Sequence, residues 1–133
     1  MFAEYNYDEF PCVRVKFSNT IENNEDFDKF LAGWIDLYNQ RKKFTFIFDT
    51  TNVGFVNPKY CVKMAMFIHN LKRREIQYLQ QSFIIVSSKL VERLLELIFF
   101  LQKPVAPVYI INNRNLHLDL HRNFHRNFHL YSP

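Results

Sequence analysis

Between residues 44 and 111, three short apolar runs alternate with two amphipathic stretches. The runs are Phe44-Thr45-Phe46-Ile47-Phe48, Phe83-Ile84-Ile85-Val86 and Val108-Tyr109-Ile110-Ile111. Continuous apolar runs of this length read as strands covered on both faces, whereas a helix lying on a sheet needs only one apolar stripe. Met64, Phe67, Ile68 and Leu71 form such a stripe after the first run, and Val91, Leu94, Leu95, Ile98 and Leu101 form one after the second. Pro104 stops the later helix ahead of the last strand. This alternation predicts an α/β domain, a mixed β-sheet of roughly four to five strands with helices packed on it. Its strand ends should form a ligand or partner surface.

Upstream, the pattern changes period. From Pro11 to Phe17, Cys12, Arg14 and Lys16 alternate with Val13, Val15 and Phe17, which predicts a half-exposed strand. Residues 2–7 are a candidate partner strand. Asn23 or Asn24 then caps a helix with Glu25 and Asp26 in its first turn. Phe27, Phe30, Leu31, Trp34, Leu37 and Tyr38 follow at steps of three and four, so the helix should run to about Arg41, with Trp34 in the core.

After residue 111 histidine recurs every four residues, at His117, His121, His125 and His129, and His-Arg-Asn-Phe repeats at 121–124 and 125–128. The division expected is a single α/β domain over 1–111 and a C-terminal helix or tail over 112–133. A helix would set a histidine row beside an apolar row. Those four histidines are the candidate metal ligands, set against a docking helix and a frayed tail.

Composition narrows the function classes. Hydrophobic residues make up 48% and aromatics 17%, with fifteen Phe, which suits a packed core. The two glycines, Gly33 and Gly54, are too few for a phosphate-cradling loop, so no nucleotide cofactor is expected. The longest apolar run, Leu97 to Leu101, is too short to span a bilayer. The first residues carry Glu4, Asp8 and Glu9 in place of a basic start and apolar stretch, so no signal peptide is expected and a soluble, cytoplasmic protein is. Cys12 and Cys61 show no paired spacing and are read as reduced and mostly buried.

Residues 1–40 hold three basic and eight acidic side chains, a net of −5, and residues 41–133 hold fourteen basic and five acidic, a net of +9. That asymmetry could steer an acidic partner to the C-terminal half. The sequence pI near 9.1 and the Arg/Phe/His tail raise nucleic acid as a partner. Helix-end placement accounts for Arg41-Lys42-Lys43 and Lys72-Arg73-Arg74 without it.

The connection after the first apolar run is the candidate site. Eight residues, Thr50 to Asn57, stand where about two to six are usual. Asn57-Pro58 opens the next helix as cap and first residue. Free backbone amides collect there, so Phe55, Val56, Asn57, Pro58, Lys59 and Tyr60 are the candidate partner-binding residues. Phe55 and Val56 would be the apolar contacts and Lys59 and Tyr60 the polar rim. The alternative is that Phe55 and Val56 fold back over the sheet end. Asp49 precedes the loop and reads as a turn acceptor, and mid-helix His69 as structural, so no catalytic residue is assigned.

With these elements placed, residues 44–111 resemble a STAS domain, the fold of bacterial anti-sigma-factor antagonists and of transporter C-terminal domains. In that family a strand ending in Asp leads through an eight-residue loop to a helix start reading Asp-Ser-Ser-Gly. Here Phe46-Ile47-Phe48-Asp49 leads to Asn57-Pro58-Lys59-Tyr60. The regulated serine falls at Pro58 and the glycine at Tyr60. Proline has no hydroxyl, so the phosphorylation switch the resemblance implies cannot operate at that position. Ser87 and Ser88 are the nearest candidates by topology. A second resemblance, to CRAL-TRIO lipid-binding domains, rests on Phe44 to Asp49 and Ser82 to Ile111.

The function expected is therefore a non-enzymatic protein-interaction module, regulatory or scaffold in kind, without a cofactor. Its partner would be a protein. A small CRAL-TRIO-like lipid-binding domain is the alternative.

Overall fold

The computed structural model describes residues 1–113 and 128–133. The elements run β1 (Ala3–Asn6), β2 (Cys12–Phe17), α1 (Asn24–Asn39), β3 (Phe44–Asp49), α2 (Pro58–Leu71), β4 (Leu79–Val86), α3 (Lys89–Leu101), β5 (Val108–Asn112) and β6 (Phe128–Tyr131). One mixed sheet holds the six strands in chain order. Strands β2 to β5 are parallel, and β1 and β6 close the two edges antiparallel. The class is α/β as expected, with six strands in place of four to five.

The sixth strand corrects the end of the helix-or-tail segment expected over 112–133. Residues 128–131 pair with β5, Tyr131 opposite Val108 and His129 opposite Ile110. A repeat of four fits a strand as well as a helix, because four is also a multiple of the strand period of two. His117, His121 and His125 lie outside the described residues. The His129 ring lies 4.7 Å from that of Tyr131. Among the described residues no three His, Cys, Asp or Glu side chains cluster as metal ligands, and no helix is long and apolar enough to cross a membrane.

Each helix begins at an oxygen-bearing cap. Asn23 accepts the Asp26 amide at 2.9 Å, Asn57 the Lys59 amide at 3.0 Å and Ser88 the Val91 amide at 3.2 Å. α1 stops at Asn39, two residues before the expected Arg41. Arg41 has turned to a φ of 57°, the left-handed conformation that ends helices.

Parallel neighbours joined in chain order by crossovers of the usual right hand place all three helices on one face of the sheet. The strands point Val13, Val15, Phe17, Phe44, Phe46, Phe48, Ile84, Val86, Val108 and Ile110 into that layer, and all are buried. Trp34 of α1 packs edge-on against Phe46 at 4.9 Å and Phe67 of α2 at 5.3 Å. The intervening residues Ile47, Phe83, Ile85, Tyr109 and Ile111 point the other way and are half-buried. Phe83 and Tyr109 stack there at 5.2 Å. The expected helical cover on both faces is thus absent among the described residues. A continuous apolar run marks two apolar faces, and it does not say what lies over each.

Candidate functional site

The β3–α2 loop leaves the sheet at Asp49, between β2 and β4. One oxygen of Asp49 accepts both the Thr51 amide at 3.0 Å and the Thr51 hydroxyl at 2.7 Å. This is the turn-acceptor role its position suggested. Thr50 donates through its amide at 3.0 Å and its hydroxyl at 2.7 Å to the Ile85 carbonyl, which ties the loop to the end of β4. Val53 closes a turn onto the Thr50 carbonyl at 3.0 Å.

The loop is then tied to the β2–α1 connection. Gly54 donates to the Asn19 carbonyl at 2.8 Å, and the Asn19 amide group donates back to the Asn52 carbonyl at 3.2 Å. A β-carbon at position 54 would stand 3.0 Å from Asn19 Nδ2, so glycine permits this approach. Ser87 donates to the Thr51 carbonyl at 3.1 Å and Ser88 caps α3. Both serine hydroxyls therefore hold backbone.

The six candidate residues separate. Phe55 is 69% exposed beyond the pinned part of the loop. Val56 packs against the core. Val56 thus folds back as the alternative reading had it, and Phe55 does not. Asn57 and Pro58 are exposed and start α2. Lys59 is exposed, its ammonium 5.0 Å from the centre of the Tyr60 ring.

Tyr60 corrects the expected polar rim. It is 6% exposed, its ring 5.1 Å from Phe27, and its hydroxyl donates to Asn24 Oδ1 at 3.0 Å. The third residue of α2 comes round toward α1, and a phenol that finds an acceptor there can be buried at little cost. Asn57→Ala should remove the α2 cap and lower the unfolding free energy by about 1 kcal/mol. Urea denaturation measures that loss.

Met66, which its spacing sets beside the apolar stripe of α2, is exposed, and so is Val62 one turn before it. Both stand on the side of the helix away from the stripe of Met64, Ile68 and Leu71. Met64 is buried, as its spacing predicted. His69 lies on the surface, its Nδ1 3.2 Å from Gln102 Oε1, and joins the end of α2 to the end of α3. Cys12 is half-buried on the sheet face opposite the helices. Cys61 is buried, and burial pushes its thiol up, away from the thiolate a nucleophile needs.

Between the sheet and the helices lies a cavity of about 150 Å³, lined by Phe27, Phe48, Val56, Met64, Ile84 and Leu95 among other apolar side chains. A benzene-sized guest fits such a volume. Drug-sized ligands usually occupy about 300–1,000 Å³.

No protein-family model, curated protein or solved structure matches this chain.

Proposed function

We propose that this chain is a non-enzymatic protein-interaction module, regulatory or scaffold in kind, similar to STAS domains but without a hydroxyl at the position of their regulated serine. The observation that carries the proposal is Phe55, an aromatic side chain 69% exposed on a loop whose backbone is held on both sides. A rigidly presented aromatic anchor loses little conformational entropy on binding, and such residues dominate interface energies. Asp49, the best-placed carboxylate for chemistry, already accepts two hydrogen bonds from Thr51, which supports a non-catalytic role.

A photocrosslinking amino acid in place of Phe55 tests this in cells of the source organism, where it should join the chain to one discrete protein. Phe55→Ser should weaken that partner at least tenfold, about 1.4 kcal/mol. Its unfolding free energy should stay within about 0.5 kcal/mol of the parent, because the ring contributes little to the core. Unchanged capture by Phe55→Ser, or a large stability loss with capture intact, would refute the anchor role. The apolar cavity favours a second reading, a CRAL-TRIO-like lipid site, but its volume is small for an acyl chain. Lipid extraction and mass spectrometry of the purified chain distinguish the two.

A further inference from the structure

Three connections lead from a helix back into the sheet, residues 40–43, 72–78 and 102–107. Because β2 to β5 are parallel, all three reach the same end of it. They stand side by side in strand order. The Phe44 amide donates to the Tyr78 carbonyl at 3.0 Å and the Ser82 amide to the Pro107 carbonyl at 2.9 Å. The β1–β2 turn adjoins them, with the Thr45 amide on the Pro11 carbonyl at 2.9 Å. The Phe55 loop leaves from the opposite end.

Charge gathers here. The three connections hold seven basic side chains, Arg41, Lys42, Lys43, Lys72, Arg73, Arg74 and Lys103, and one acidic, Glu75. Their net is +6, against +4 for the whole chain, and all seven cations are exposed. With Asp8 and Glu9 of the β1–β2 turn included, the net is still +4. Arg74 lies over the Tyr38 ring at 5.8 Å. None of the seven takes part in the ion pairs of the described residues, which join Arg14 to Glu9 and Lys29 to Glu25.

Helix capping, expected for both basic triplets, accounts for Lys72 at most. The last turn of α1 holds no basic residue and that of α2 only His69. Lys72 caps α2, and the other five lie beyond the helix ends, where the pull of the carbonyl dipoles has faded. Cations gathered without counter-charge repel one another, a cost in stability that an anionic partner removes.

Aromatic rings flank the cations. The Tyr7 ring stacks on Tyr5 at 6.0 Å and remains 45% exposed. Phe10, in the same turn, is 37% exposed. Cations beside open ring faces suit a single-stranded nucleic acid, whose phosphates meet the former while its bases stack on the latter. A lipid surface would call for exposed aliphatic side chains among the cations, and Ile76 is the one such residue of these connections. An acidic protein would match the cations and leave the rings without a use.

We propose that this end of the sheet binds single-stranded nucleic acid, with Arg41, Lys42, Lys43, Lys72 and Arg73 on its phosphates and Tyr7 and Phe10 against its bases. The contact is independent of the Phe55 surface. Fluorescence anisotropy with a labelled oligothymidylate of about 12 nucleotides tests it. Affinity should fall with rising NaCl at a log–log slope of about −3.5, roughly −0.7 for each of the five cations.

Lys42→Gln with Lys43→Gln, and Lys72→Gln with Arg73→Gln, should each weaken binding at least tenfold and flatten the slope by about 1.4. Tyr7→Ala should weaken it at least fivefold with the slope unchanged. Lys29→Gln with Lys89→Gln removes as much charge elsewhere and should leave binding within twofold. Each variant should keep the circular dichroism of the parent. Absence of binding at low salt, or equal weakening by the Lys29 and Lys89 pair, overturns the proposal. Polyglutamate bound as tightly as oligothymidylate, with Tyr7→Ala without effect on either, overturns it in favour of an acidic protein. Phosphatidylserine vesicles bound where oligothymidylate is not overturn it in favour of a membrane.

Discussion

Phe46→Ala is expected to remove about 4 kcal/mol of unfolding free energy, the largest single loss predicted for this chain. Phe46 is fully buried at the middle of β3, one of the central strands. Its ring meets Phe48 at 4.5 Å, Trp34 at 4.9 Å, Phe44 at 5.0 Å and Tyr5 at 6.4 Å. Deleting it removes the transfer free energy of an aromatic ring and leaves a void bounded by other rigid rings. These cannot collapse into it as aliphatic side chains can. Domains of this size hold about 5–15 kcal/mol in total, so the variant should stand near the edge of folding. Urea unfolding should show the midpoint falling with its slope unchanged. A loss below about 1 kcal/mol would mean that these rings are not close-packed.

Gly33→Ala should destabilise by about 2 kcal/mol, against the sign of helix propensity. Within a helix, alanine normally gains about 0.8–1 kcal/mol over glycine. Here a β-carbon at position 33 would stand 2.6 Å from two carbons of the Tyr5 ring. The ring cannot swing aside freely, because the Tyr5 hydroxyl donates to the Phe30 carbonyl at 2.5 Å. Gly33 is thus the place where β1 and α1 come into contact. A double-mutant cycle tests the account. In a Tyr5→Ala background the obstacle is gone, and Gly33→Ala should then stabilise by about 0.5–1 kcal/mol. The same sign in both backgrounds would refute the steric explanation.

Both residues show how far pattern alone reaches. Phe46 was legible as core because a run of apolar residues has few places to go. The caps at Asn57 and Ser88 and the proline opening α2 were legible because their chemistry is local. Gly33 was not, since its neighbour Tyr5 is twenty-eight positions away and its place depends on β1 folding back. Tyr60 was misplaced for the same reason. Its acceptor Asn24 belongs to a different helix, and nothing between them announces the meeting.

The order of the strands has a consequence for synthesis. Strands that follow one another in the chain also lie side by side, so each βα unit can settle on the one that left the ribosome before it. None of the parallel strands β2 to β5 must be threaded between partners already in place. Nascent chains ending after β4 or α3 should therefore already protect the β2–β3 backbone from hydrogen exchange, with the growing edge of the sheet the last part to become protected.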